Sequence, residues 1–286
     1  MEMLLEVENL TKEYPGFKLD NVSFQIPKGT IMGLVGENGA GKTTTINAVL
    51  DVVRRDGGNV KFWGKELSAS RVLKEDIGVV FDSISFYETL SPDKIEKILR
   101  KAYGKWDSRV FADYLDRFGL PRDKEIKGFS KGMKMKLSIA AALSHSPKLL
   151  ILDEATGGLD PVMRDDILDV FLDFVQDEEH SILLSSHITT DLEKIADYIT
   201  FIHEGKVFFC RSKDELLYDY GIIRCGKEAF DRLERDEILA YRKEDYQWSV
   251  LVADKKRAAR KYKDVVIDNT TIDDILLLYV KGEQVK

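Results

Sequence analysis

The sequence predicts an α/β fold: a parallel sheet flanked by helices, an antiparallel β part at the N-terminus, an inserted helical subdomain and a small C-terminal α+β unit. Three observations carry this. After Lys148, short apolar strands alternate with helical stretches ("KLLILDE", 161–177, "SILLSSH", 189–196, "YITFIHEGKV"), and alternating β and α units form parallel sheets. A glycine-rich turn from Gly36 to Gly41 lies between an apolar strand and a helix, the setting in which backbone N–H groups meet phosphate. After Ser91 the hydrophobic period becomes helical.

In chain order, "LLEVENLTKEY" and "LDNVSFQIPKG" alternate as strands joined by a turn at Pro15-Gly16. "TIMGLVG" is a short apolar run ending in glycine and predicts a buried strand, with a helix from Thr43 to about Leu50. "GGNVKFWGKEL" is a turn followed by strand residues. Ile95, Ile98, Leu99 and Ala102 share one helical face, as do Val110, Phe111, Tyr114, Leu115 and Phe118, and helices continue to about Leu143. Beyond about residue 216, "GIIRCG", "EILAYRKED" and "QWSVLVAD" read as strands. "KEAFDRLE", "KKRAARKYK" and "TTIDDILLLYVKG" read as helices. The expected division is therefore 1–215, with its helical subdomain at about 83–145, and an accessory unit at 216–286.

Of 286 residues, 44% are hydrophobic and 33% charged, a balance expected of a soluble globular chain with one large and one small domain. The apolar runs are too short to span a bilayer, and "MEMLLEVENL" lacks the basic-then-apolar order of a secretory signal. Cys210 and Cys225 are the only cysteines, too few for a disulfide scaffold, so a reduced, cytosolic setting is expected. A net charge of −7 argues against nucleic acid as the main partner, and "KKRAARKYK", flanked by acidic segments, reads as a solvated helix face.

The chemistry starts at Gly36-x-x-x-x-Gly41-Lys42-Thr43, which fits the phosphate-loop spacing GxxxxGK[ST]. Glycines let the backbone turn and expose N–H groups to phosphate oxygens, and the following helix adds the positive end of its dipole. Lys42 can reach the β- and γ-phosphates, and Thr43 can offer its hydroxyl to Mg²⁺. In "KLLILDEATGGLD" an apolar strand ends in two carboxylates. Asp153 suits Mg²⁺ ligation, directly or through water. Glu154 would sit beside the γ-phosphate and polarise the attacking water. His187 ends the next strand, a place that favours contact with the γ-phosphate.

With these residues in place, the chain from about 3 to 215 resembles the nucleotide-binding subunit of an ATP-binding-cassette (ABC) transporter. "GENGAGKTT" is similar to the family's Walker A motif, "LLILDE" to Walker B, and "GGLD" with Pro161 to the D-loop; His187 matches the switch histidine. The resemblance implies that Gly36, Asn38, Gly39, Ala40, Gly41, Lys42, Thr43 and Thr44 bind ATP with Mg²⁺. Tyr14 falls where the family stacks an aromatic on adenine, and is equally placed to be a packing residue. "FSKGMKMKLSIAAAL" resembles the signature motif. The family pairs two such subunits head to tail, so Ser130 and the backbone at Gly132 would reach the γ-phosphate across the interface. Each pair drives a separate transmembrane permease, which would place this chain peripherally on the inner face of the cell membrane. The KGM-type signature and the appended tail look like the bacterial exporter branch that handles drugs, antibiotics or lipids.

Two departures stand out. The usual LSGGQ reads Phe129-Ser130-Lys131-Gly132-Met133, where Lys131 either adds a cation near ATP or faces solvent. Asp82 stands where the family has a glutamine that touches Mg²⁺ and relays to the membrane subunit. Asp82 can still bind Mg²⁺, through water or directly. The following "SISFYE" is expected to meet the permease, with Phe86 and Tyr87 either anchoring it or packing inside the helical subdomain. Other readings lack their marks. A soluble cassette ATPase of DNA repair or translation would show tandem cassettes, a coiled-coil insert or zinc cysteines, and a GTPase would show an NKxD-type reader.

Overall fold

The computed structural model describes residues 2–67, 71–83 and 86–285, without the side chains of residues 71 and 72. Three sheets organise it. In the first, strands β1 (Met3–Tyr14) and β2 (Phe17–Pro27) form the antiparallel hairpin expected about Pro15-Gly16. Strand β4 (Gly57–Phe62) pairs with the other side of β1, and the two-residue β5 (Lys65–Glu66) completes the order β2-β1-β4-β5.

The second sheet carries the chemistry. It contains β3 (Ile31–Val35), β6 (Ile77–Val80), β7 (Leu149–Asp153), β8 (Ser181–Ser186), β9 (Tyr198–His203) and β10 (Lys206–Ser212), in the order β10-β9-β3-β8-β7-β6. All neighbours are parallel except β9 and β10. Every residue of β3, β7 and β8 is buried, and apart from Asp153 these runs are continuously apolar or small. "YITFIHEGKV", expected as one strand, instead crosses two: Gly205, at φ +74, turns the chain into β10 at the sheet edge. Helix α1 (Lys42–Val49) follows β3, and the one-turn α2 (Arg71–Lys74) precedes β6.

Between β6 and β7 lies the helical subdomain of α3 (Pro92–Ala102), α4 (Ser108–Arg117) and α5 (Lys131–Leu143). Ile95, Phe111, Leu115, Ile126 and Leu137 form its own core. The buried face of α3 is narrower than its sequence suggests. Ile95 and Leu99 pack inward at i and i+4, while Ile98 is 52% exposed and Ala102 is exposed. One helical step of about 100° turns Ile98 away from α4 and α5. Helix α6 (Pro161–Phe174), capped by the Asp160 carboxylate accepting from Met163 N at 3.0 Å, and α7 (Thr189–Ile195) complete this part.

The third sheet is antiparallel and belongs to the tail. It comprises β11 (Gly221–Cys225), β12 (Ile238–Lys243), β13 (Trp248–Val252), β14 (Val266–Asp268) and β15 (Glu283–Gln284), with α8 (Lys227–Phe230), α9 (Lys255–Lys261) and α10 (Ile272–Lys281). One face of this sheet has a core of its own around Ile223, Phe230 and Val250. The other does not: Ile222, Ala240, Leu251, Ile272, Ile275 and Leu278 join Leu192, Ile199 and Phe201 in the main core. Tyr279 packs against Phe201 and Phe209, ring centroids 6.3 and 5.5 Å away, and burial pushes its phenol up to about 12. The backbone N–H of Ile272 donates to Glu193 Oε1 of α7 at 2.7 Å.

Candidate nucleotide site

Val35 pairs with Ser186 and Asp153 with Ser185, so β3, β8 and β7 deliver their C-terminal ends to one edge of the sheet. The chain leaves β3 at Gly36, where a side chain has no room: a Cβ would fall 2.3 Å from the Ile202 carbonyl oxygen. It enters α1 through Gly41, the N-cap, at φ +114, a conformation that favours glycine. Among the described residues no side chain caps α1, so its first-turn N–H groups stand at the positive end of the helix dipole. Asn38 and Gly39 are exposed on the turn and Ala40 is buried beneath it. Thr43 is exposed and Thr44 half-buried, whereas Thr45 donates its hydroxyl back to Gly41 O at 2.8 Å. Of the three consecutive threonines, Thr43 is thus the one presented to a ligand.

Lys42 is only 6% exposed and folds back over the turn. Its Nζ donates to Gly36 O at 2.8 Å and Glu37 O at 3.3 Å, and lies 3.2 Å from Glu154 Oε1. That last contact is an ion pair by distance, without hydrogen-bond alignment. The other Glu154 oxygen, Oε2, is 2.6 Å from His187 Nδ1. A carboxylate only accepts, so Nδ1 is the donor in this contact. Lys42, Glu154 and His187 therefore form one continuous polar chain across the sheet edge.

Glu154 is held there at φ +54, rare for a residue with a side chain. Its N–H points at Ser185, with the carbonyl oxygen at 3.2 Å and Oγ at 3.1 Å. The same Ser185 hydroxyl donates to Asp153 Oδ1 at 2.6 Å, and Asp153 is 3% exposed. Ser185 thus fixes the Asp153 carboxylate and the Glu154 backbone, a role the sequence reading missed. Its signal was the pair of serines ending the otherwise apolar "SILLSS".

Among the described residues no group of three or more His, Cys, Asp or Glu side chains is arranged to hold a metal. Mg²⁺ keeps several waters and needs one or two carboxylates plus phosphate. Asp153, with one oxygen engaged by Ser185, and the exposed Thr43 hydroxyl offer hard oxygen donors of this kind. Asp82 is exposed just beyond β6 and lines a cleft of about 320 Å³ with Lys131, Lys134 and Ser138 of α5. The structure thus places it beside the signature helix.

Tyr14 ends β1, 39% exposed, with Lys12 Nζ 5.2 Å over its ring; the aromatic closest to Gly41 is Phe17. Ser130 caps α5, its Oγ accepting from Met133 N at 3.2 Å, which leaves its O–H free to donate. Gly132 is buried under Met163 of α6. Lys131 is exposed, in line with the solvent-facing expectation, and its ammonium also donates to Gly157 O at 2.7 Å within the same chain. A cavity of about 520 Å³ opens beside the phosphate turn, lined by Gly36, Glu37, His187 and Phe201, and by Asp274 and Leu277 of α10.

A glycine-rich turn on a parallel sheet, a buried lysine and two carboxylates at a strand end define the site of a P-loop nucleotide-binding protein. The chain belongs to the ABC transporter family, whose model matches residues 19–157. It is 37% identical over 239 residues to the lantibiotic transport ATP-binding protein SrtF of Streptococcus pyogenes, covering 82% of this chain and 98% of that one. It is 36% identical over 209 residues to the bacitracin transport ATP-binding protein BcrA of Enterococcus faecalis, covering 72% and 68%. Among solved structures, an ATP-binding subunit of an ABC transporter superposes with a TM-score of 0.67 at 28% identity, over 74% of this chain and 91% of that one. No helix among the described residues is long and apolar enough to cross a membrane.

Proposed function

We propose that this chain binds and hydrolyses ATP with Mg²⁺ as one half of a head-to-tail dimer, on the cytoplasmic face of a membrane, and drives export through a separate permease. The observation that carries hydrolysis is the chain from Lys42 through Glu154 to His187. It aims a carboxylate, backed by an imidazole, at the turn where phosphates would lie. In this reading the Gly36–Thr44 turn and Lys42 hold the phosphates, with Tyr14 at the adenine. Glu154 draws a proton from the attacking water, and His187 orients Glu154 and lies near the γ-phosphate. Mg²⁺, held by Thr43 and Asp153 with Asp82 reaching it through water, would neutralise charge building on the phosphate oxygens. The Ser130 hydroxyl and the N-terminus of α5 at Gly132 would close the site of the partner subunit. The transport functions of the lantibiotic and bacitracin relatives support a peptide-antibiotic class of cargo.

The test is phosphate release by the purified chain, alone and co-isolated with a membrane protein. Release should require Mg²⁺ and rise more than linearly with protein concentration. Strict proportionality to concentration would remove the composite-site reading, and no release from the co-isolated complex would remove the ATPase.

The permease contact separates into two expectations. Tyr87 is 83% exposed, while Phe86 packs on the helical-subdomain core; Ile84 and Ser85 lie outside the described residues. Tyr87→Ser should keep the melting temperature and basal ATPase but lose co-purification with the permease. Phe86→Ser should lower the melting temperature by several degrees, since uncovering a packed ring costs a few kcal/mol. A Tyr87→Ser protein that still pulls down its permease would move the contact elsewhere.

A further inference from the structure

Lys131 occupies the first position of α5, where a cation opposes the positive end of the helix dipole. Helix formation therefore gives no reason for it, but its partner does. Its Nζ donates to Gly157 O at 2.7 Å, and a Cβ on Gly158 would fall 2.7 Å from the same nitrogen. Gly157 in turn donates its N–H to Glu154 O at 3.0 Å, closing the turn 154–157. A Cβ on Gly157 would lie 3.8 Å from His187 Cε1 and 3.9 Å from Glu154 Oε2. The carbonyl that Lys131 grips thus belongs to the turn that aims Glu154. That turn stores strain: Glu154 sits at φ +54, and the wholly buried Thr156 hydroxyl has no hydrogen-bond partner among the described residues. Both features mark a segment held in place by its surroundings.

We propose that Lys131 is a positioning residue that couples the two nucleotide sites of the dimer: it holds the Glu154 turn through the Gly157 carbonyl, and releases it when phosphate of the partner subunit's nucleotide reaches Ser130. This rests on the head-to-tail arrangement proposed above. An ammonium that can choose between a neutral carbonyl and a phosphate oxygen takes the anion, because a full negative charge attracts it more strongly than a carbonyl dipole does. Ser130, one residue away, is the exposed cap at which that anion would arrive. Release frees the turn to move and resets Glu154, which serves this subunit's own nucleotide. Occupancy of one site is thereby reported to the catalytic carboxylate of the other.

The test compares wild type, Lys131→Met and Lys131→Arg by two measurements with ATP and Mg²⁺: the Hill coefficient of hydrolysis, and amide hydrogen exchange in a peptide covering 154–160. Wild type and Lys131→Arg should show a Hill coefficient of about 1.5–2 and ATP-accelerated exchange in that peptide. Lys131→Met, which keeps the stem but cannot donate, should fall to about 1. Its turn should exchange fast without ATP and gain nothing from it. A Met variant that keeps wild-type cooperativity and ATP-sensitive exchange overturns the coupling, as does a wild type with a Hill coefficient of 1. In both cases ATP still protects peptide 34–50, so the nucleotide site itself stands. Loss of that protection in wild type would instead bring down the ATP-site reading, and the coupling with it.

Discussion

Glu154→Gln should still bind ATP but hydrolyse it at least about 100-fold more slowly, the scale of a lost general base, and accumulate as an ATP-bound dimer. The substitution keeps the shape of the side chain and deletes its charge. Binding should survive because Lys42 keeps two other partners, the Gly36 and Glu37 carbonyls, and the phosphate turn does not depend on the carboxylate for its form. What is lost is the proton acceptor, together with the anion that fixes the His187 Nδ1 proton. The φ of +54 is no worse for glutamine than for glutamate, so folding should be nearly unchanged. Single-turnover phosphate release and size-exclusion chromatography with ATP would report both halves. Half of wild-type turnover in this variant would remove Glu154 from the role of base.

Lys42→Ala should weaken ATP binding itself. A charge-assisted contact to phosphate is worth roughly 1.5–3 kcal/mol, or about 10- to 150-fold in Kd. The ammonium already has two carbonyls and the Glu154 carboxylate as partners, so the measured loss is a difference between two sets of partners. Phosphate wins that exchange because it carries more charge than the pair of carbonyls and single carboxylate it displaces. Titration calorimetry would read the affinity directly. Unchanged affinity and unchanged turnover would refute the phosphate-loop reading of Gly36–Thr43.

Much of this site is legible in the sequence because its parts are local. The spacing from Gly36 to Thr43 fixes a turn and a helix start, and "LLILDE" fixes a buried strand with carboxylates at its end. The order of strands explains why these two segments meet, and alternating β and α units foretell that order in kind. What the sequence does not show is contact between distant segments. Ser185 joins Asp153 and Glu154 through a neighbouring strand, and Lys131 meets Gly157 across a helix–loop contact. No periodicity encodes either pairing. Ile98 was misplaced for a related reason: a 3.6-residue repeat defines a stripe, but the neighbouring helices decide how wide a stripe is covered. The edge strands β14 and β15 are three and two residues long, below the length at which alternation carries a signal.

The shared core of tail and cassette has a mechanical consequence. Ile272, Ile275 and Leu278 of α10 sit in the same apolar cluster as Leu192 and Phe201, and α10 also forms a wall of the cavity beside Gly36 and His187. Such a tail is not a pendant on a flexible tether. It behaves as a buttress, and any ligand or partner that shifts it must pay in exposed core or carry the nucleotide edge along. A chain cut after residue 215 should therefore lose thermal stability, where a tethered module would leave it intact, and the full chain should melt in one calorimetric transition.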